Sequence, residues 1–274
     1  MEQSKDELGD RMKVYEQAEA GRRLLPLLPI MARIDGRGFS RFTKGMDRPF
    51  DARMSRLMIE TTKFLVLETG ALCGYTQSDE ISLCWIQPHY ESEVFFGGNI
   101  QKLVSQLAAM ATVKFNHRLG DGDTLPGTYR DNLPTFDARV WNVPNRTEAM
   151  NCLLWREIDA TKNAVSMAAR CHYSHKETHG MGTSDLKEML LLKGVDGNTY
   201  PSFFTRGTYV RRVKTTRKFT AEELERLPEK HAARLDPAIV VERTDLTAAE
   251  IPPLKNLVNR EDVLFSGAEP EVRP

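Results

Sequence analysis

Two short stretches place carboxylates where the backbone is most permissive. In RIDGRGF, residues 33 to 39, Asp35 is followed by Gly36, Arg37 and Gly38, and in QSDEIS, residues 77 to 82, Ser78, Asp79 and Glu80 stand together. Carboxylates brought close repel one another, and such a cluster is cheap only when cations sit between them. Ligation by aspartate and a backbone carbonyl suits magnesium, which keeps waters and bridges to phosphates. A pair of such ions steadies the attacking and leaving oxygens in phosphoryl or nucleotidyl transfer. The glycines let the main chain pass close to metal and phosphate, where a side chain would clash. Either stretch alone also reads as an ordinary turn, because Asp, Gly and Ser all favour turns. The chemistry therefore depends on whether the fold brings the two together.

The elements that must do so follow from hydrophobic spacing. Residues 8 to 20 read as a helix with Leu8, Met12 and Tyr15 on one face. Ile30, Ala32 and Ile34 alternate with Met31, Arg33 and Asp35, the period of a half-buried strand ending at Asp35. Asp51 caps a helix running to about Glu68, with Gly70 as its stop. ALCGYTQ and EISLCWI read as two strands joined at Ser78 and Asp79. A helix follows over 92 to 119, then the loop DGDTLPG, then a strand in PTFDARVWNVP. This β-α-β-β-α-β order predicts an α+β, ferredoxin-like fold with an antiparallel sheet. In it the first and third strands are antiparallel neighbours, so Asp35 lands beside Asp79 and Glu80.

Beyond this core the pattern predicts a long helix over 147 to 172, a short one near 185 to 193, a strand FFTRGTYVRRV and a capping box at Thr220 and Glu223. From Pro228 onward, prolines and alternating charge read as an irregular appendage. The expected organisation is a catalytic core over residues 1 to 145, with residues 146 to 274 packing on it as an elaboration.

Composition narrows the class. The 274 residues are 41% apolar and 28% charged, and Lys plus Arg equals Asp plus Glu at 38 each, so a nucleic-acid site must be a local patch. Cys73, Cys84, Cys152 and Cys171 lie far apart without a CxxC pair, which suits free thiols in a reducing compartment. No apolar run approaches a membrane span, and the charged N-terminus has no apolar core of a leader. A cytoplasmic protein is expected, with no membrane partner.

LGDRMK, RIDGRGF, RPFD, QSDEIS, FDARV, WREIDATKN, SHKE and RGT, in this order across residues 8 to 208, resemble the tRNA-His guanylyltransferase family. With NREDVLF near the end they look closer to its Thg1-like branch. The resemblance implies a core similar to a polymerase palm and addition of nucleotides to the 5′ end of tRNA in the 3′-to-5′ direction. A 5′-monophosphorylated tRNA would be activated with ATP or GTP, and the 3′-hydroxyl of an incoming NTP would attack the activated phosphate. Asp35, Asp79 and the Gly36 carbonyl would hold two magnesium ions, with Glu80 supporting or ligating. The amides of Gly36, Arg37, Gly38 and Phe39, with Arg48, Ser78 and Lys102, would hold the triphosphate. A homotetramer is also implied. Where guanylyltransferases of the family carry HINNLYN, this chain reads TKNAVSM and keeps only Asn163. That favours template-dependent repair of 5′-truncated tRNAs over strict addition of guanosine to tRNA-His. Asn99 stands where the family suggests a basic residue, and Arg48 replaces a lysine.

For tRNA contact the candidates are Arg139, Arg156, Asn163, His175, Lys187, Arg206 and Arg211, the last two in a basic run that also reads as a solvated strand face. Arg156 and Asp159 are equally spaced for an ordinary i,i+3 ion pair. The spacing of His172, His175 and His179 offers no fourth zinc ligand. Two rival functions share parts of the pattern. A palm-fold nucleotidyl cyclase would carry a GGDEF hairpin, absent here. An RNA-binding module of the RRM kind would carry an aromatic string on its sheet, also absent.

Overall fold

The computed structural model describes residues 7–121, 125–236 and 238–273; part of the expected loop DGDTLPG lies outside them. The helices are α1 (Glu7–Ala20), α2 (Phe39–Phe42), α3 (Ala52–Glu68), α4 (Ile100–Arg118), α5 (Arg146–Ala169), α6 (His175–Thr178), α7 (Thr183–Leu192), α8 (Ser202–Thr205), α9 (Ala221–Arg226), α10 (Ala232–Leu235) and α11 (Arg260–Phe265). The strands are β1 (Ile30–Arg37), β2 (Cys73–Gln77), β3 (Glu80–Trp85), β4 (Thr135–Asn142), β5 (Thr208–Lys218) and β6 (Val240–Ala249). They form one antiparallel sheet in the order β4-β1-β3-β2-β5-β6. The ferredoxin-like core is its first four strands with α3 and α4.

The alternation of β1 decides which face each residue serves. Ile30, Ala32 and Ile34 join Ile81 and Leu83 of β3 under α3 and α4, where Leu57, Leu65, Leu107 and Phe115 are fully buried. Each such side chain contributes roughly 1.5–3 kcal/mol on burial. Met31 points the other way, with Cys73, Tyr75, Cys84 and Tyr209, beneath Met150 and Leu153 of α5 and the apolar tail around Leu254, Val263 and Leu264. Arg33 and Asp35 share that second face by the period of two. α5 and α7 close a third, smaller cluster.

Helix boundaries obey their caps. Asp51 accepts the Arg53 N–H at 2.9 Å and opens α3 as expected. Asn99 takes the Lys102 N–H at 3.0 Å and donates to the Ala20 carbonyl, so α4 starts later than the spacing suggested. The Thr220–Glu223 capping box is formed.

Two expectations are corrected. The tail after Pro228 is not irregular: β6 pairs along β5 from Tyr209↔Ala249 to Lys218↔Val240. FFTRG is not strand, because α8 forms behind Pro201 and β5 begins only at Thr208. The apolar face of α1 meets no core, with Leu8 and Tyr15 exposed and no residue of that helix buried.

Candidate active site

The two carboxylate stretches meet at one end of the sheet. Asp35 stands opposite Glu80 in the β1–β3 ladder, and the Gly36 N–H donates to the Asp79 carbonyl at 3.0 Å. That bond ties the end of β1 to the tip of the β2–β3 turn, where Ser78 has a positive φ of 49°. A Cβ on Gly36 would lie 2.3 Å from the Phe39 ring, and Gly38 takes the left-handed conformation as α2 begins. Glycine is thus required at both positions by geometry.

Burial and the neighbouring Asp35 charge push the Asp79 carboxyl up to about 6, against a hydrogen bond from Ser78. A carboxylate so placed is relieved by a cation. With Asp35 and the Gly36 carbonyl it makes an all-oxygen, open donor set, and among the described residues no three His, Cys, Asp or Glu side chains close a cage. Such a set fits magnesium, which keeps several waters and takes substrate phosphates, and does not fit a structural zinc.

Glu80 behaves differently. Its two oxygens are taken by Arg156 Nε and Nη2, both at 2.6 Å, and Nη2 also reaches Asp159 at 3.1 Å. Both partners are buried, at 6% and 8% exposure. Burial raises the Glu80 carboxyl and the Arg156 fork opposes that rise. The supporting role given to Glu80 therefore comes through an arginine, and the expectation that Arg156 touches RNA is corrected: its guanidinium faces inward, against Glu80 and the Trp155 ring.

Beside Asp79 opens a cavity of about 340 Å³. Its polar lining includes Ser40, Thr43, Arg48, Gln77, Ser78 and Asn163; α5 supplies Ala160, Ala164 and Met167, and Phe39, Phe50, Phe203 and Phe204 give apolar wall. Phe50 packs on Phe204 at 4.9 Å and Phe203 at 5.3 Å. The cavity is large enough for a nucleoside and combines a few polar groups with stacking surface, the usual make-up of a small-molecule site.

The remaining candidates scatter. Arg48, Ser78 and Asn163 line the cavity, whereas Lys102 stands exposed in the first turn of α4 and does not. The Gly36 N–H is spent on Asp79 and is unavailable to a triphosphate, which corrects that part of the cradle; Gly38 and Phe39 stand where α2 opens, and Arg37 ends β1 exposed. Lys187 and Arg206 share a second cavity of about 550 Å³ on the far side of Ala164. His175 begins α6 behind the Ser174 cap, its ring 5.5 Å from that of His179. Arg139 is exposed on β4 and pairs with Asp137 at 3.0 Å. Arg211 is corrected as an RNA contact: it is 6% exposed and its Nη1 donates to the carbonyls of Val263 and Ala268, holding the tail. Other members of the basic run have partners within the chain, Arg212 the Val66 and Ala71 carbonyls, Arg217 Glu223 and, on the exposed surface, Lys214 Glu242.

Sequence reasoning missed the aromatic wall. Phe203 and Phe204 look like strand residues until Pro201 starts a helical turn, and Phe50 is visible only as part of RPFD. It also missed Tyr75, whose hydroxyl donates to the Arg206 carbonyl at 2.7 Å, and Glu157, which accepts from Tyr209 and from the Leu254 N–H.

Known proteins share this fold. The profile of the family described as tRNAHis guanylyltransferase (Thg1) matches residues 9–144. The tRNA(His) guanylyltransferase of Schizosaccharomyces pombe is 30% identical over 72% of this chain and 68% of its own length. An uncharacterised protein of Acanthamoeba polyphaga mimivirus is 32% identical over 59% of this chain, which spans 62% of that viral protein. Among solved structures, a bacterial Thg1-like protein in complex with ATP superposes with a TM-score of 0.67 at 35% identity, covering 74% of this chain and 88% of that one. A bacterial Thg1-like protein in complex with GTP gives 0.69 at 29% identity, covering 91% and 94%. The paired aspartates on a shared backbone hydrogen bond, the adjoining nucleoside-sized cavity and these likenesses lead to one placement: the chain belongs to the Thg1 family of nucleotidyltransferases.

Proposed function

We propose that this protein adds nucleotides to the 5′ end of tRNA in the 3′-to-5′ direction, choosing each by pairing with the opposite strand, and so rebuilds truncated acceptor stems in the cytoplasm. The observation that carries the reading is the Asp35–Asp79 pair fixed by the Gly36 to Asp79 hydrogen bond at the mouth of an aromatic-walled cavity. Asp35, Asp79 and the Gly36 carbonyl would hold two magnesium ions, which supply charge neutralisation to the transferring phosphate. The chain's own residues do the positioning: Arg48 and Ser78 meet phosphate oxygens, and Phe50, Phe203 and Phe204 receive the base. Glu80, locked by Arg156, keeps its charge near the pair without moving. No nucleophile is required of the protein, since the hydroxyl of one substrate attacks the phosphate of the other.

The structures of bacterial relatives in complex with ATP and with GTP support either nucleotide as activator. Loss of the HINNLYN motif supports templated repair, while the curated relatives named tRNA(His) guanylyltransferase favour a second reading, addition of one guanosine to tRNA-His. Assembly as a homotetramer belongs to the same reading, and sedimentation velocity tests it.

The deciding experiment incubates the protein with magnesium, ATP, all four NTPs and a 5′-monophosphorylated tRNA lacking its first nucleotide, with the opposing base varied. Extension that tracks the opposing base supports repair. Guanosine added to tRNA-His alone, whatever stands opposite, transfers the conclusion to the second reading. A metal-dependent product from NTP without RNA would point to a cyclase, and RNA binding without turnover to a binding module.

A further inference from the structure

The face of the sheet that carries Asp35 is roofed by α5 only in part. On β1 and β4, Arg33 lies directly opposite Arg139, and Asp35 opposite Asp137, with all four side chains on the α5 side by the strand period. Like charges directly opposite on adjacent strands destabilise a sheet. Arg139 is relieved by Asp137, but Arg33, half-buried, has neither a hydrogen-bond acceptor nor an ion pair among the described residues. Its guanidinium lies 5.8 Å from the centre of the Trp155 ring. Trp155 is itself 54% exposed on the flank of α5, outside every core cluster. The indole, met by the Arg33 and Arg156 guanidinium groups yet open along its edge, and an arginine near the Glu80 charge whose N–H groups find no acceptor among the described residues, stand two residues from Asp35 and offer donors and an aromatic surface to an anionic, flat ligand.

None of Arg33, Arg139 and Trp155 lines the cavity beside Asp79. Resting on the transferase reading above, which needs a second substrate at the same carboxylates, we propose that Arg33, Arg139 and Trp155 form the seat of the RNA acceptor end. The two guanidinium groups take its 5′-phosphate, and the indole edge takes the terminal base or sugar. Guanidinium forks match phosphate oxygens in pairs, and aromatic platforms hold unpaired bases without regard to sequence. The carboxylates then stand between two subsites, the cavity for the free nucleotide and this open trench for the RNA.

Phosphate chemistry has two sources here, the RNA end and the triphosphate of the nucleotide, and the test separates them. Fluorescence anisotropy with a labelled acceptor-stem duplex, carrying either a 5′-phosphate or a 5′-hydroxyl, measures RNA binding without turnover. Steady-state kinetics then give KM separately for RNA and for NTP. Arg33→Gln is expected to weaken binding of the 5′-phosphorylated duplex about 10-fold or more, the size of a lost charge-assisted contact, and to erase its preference over the hydroxyl duplex. KM for NTP stays unchanged, and Arg33→Lys recovers part of the loss. Trp155→Ala weakens both duplexes alike. The idea is overturned if Arg33→Gln raises KM for NTP and leaves RNA binding intact, or if it alters neither while its melting temperature matches the parent. If the parent protein shows neither RNA binding nor 5′-end products, the transferase reading itself fails.

Discussion

Two polar regions of this molecule are built differently: the side chains of one are fully buried, and the aspartates of the other are only half-buried. In the seam between α5, β5 and the tail, Glu157 accepts from Tyr209 at 3.1 Å and from Leu254 N at 3.0 Å, and Arg211 caps two tail carbonyls. At the end of β1 and β3, Asp79 is pushed up to about 6 with no ion pair to a basic side chain among the described residues, although Arg156 sits nearby and is taken by Glu80 and Asp159. The seam is closed by its own partners and reads as structure. The carboxylate end is left with an imbalance that a proton or a bound cation removes, the kind of imbalance that clusters at functional sites.

The contrast can be broken most forcefully at Asp79. Asp79→Ala should abolish 5′-end addition by on the order of 10³-fold while leaving the melting temperature unchanged or higher, since it deletes a charge the fold resists. An inactive variant that also unfolds early would place Asp79 with the seam instead. Arg156→Ala should do the opposite, leaving Glu80 buried and unpaired at a cost of about 3–5 kcal/mol, readable in urea melts; Arg156→Lys should recover part of it. Asp51→Ala should cost about 1–2 kcal/mol through loss of the α3 cap, an effect confined to stability and readable in the same melts.

The smallest effect concerns pH. The Asp79 carboxyl titrates near 6 in the fold and near the ordinary aspartate value when unfolded, so the folded state holds its proton more tightly. Stability from this group is therefore fully present below about 4 and declines as pH rises through about 6. Magnesium should raise the melting temperature more at pH 7.5 than at pH 5, and Asp79→Asn should remove that difference. A magnesium shift independent of pH, or retained in Asp79→Asn, would mean the ion binds elsewhere.

Where local signals dominate, the sequence was a reliable guide. The period of β1, the Asp51 cap, the Thr220–Glu223 box and the short SD turn are decided within a few residues, and from them the meeting of Asp35 with Glu80 followed by topology alone. What escaped was settled at a distance. VVERTDLTAA becomes β6 only because β5 offers it a ladder, and its charges had argued for a solvated tail. Arg156 and Arg211 were read as RNA contacts through the family resemblance, and the partners that bury them lie 76 and 52 or more residues away, beyond the reach of local spacing. The aromatic wall depended on Pro201, whose effect on the next four residues outweighed their β-branch-like, aromatic character.

The hydrogen bond from Gly36 to the Asp79 carbonyl has a mechanical corollary. Because it links two peptide units and involves no rotatable side chain, the distance between the two aspartate backbones is set once, when the sheet closes, and does not fluctuate with rotamers. The tip of the β2–β3 turn and the end of β1 must open together or not at all. Local fraying at this corner is thereby converted into a cooperative event, and amide exchange at Gly36 becomes a direct gauge of how often the whole carboxylate corner comes apart.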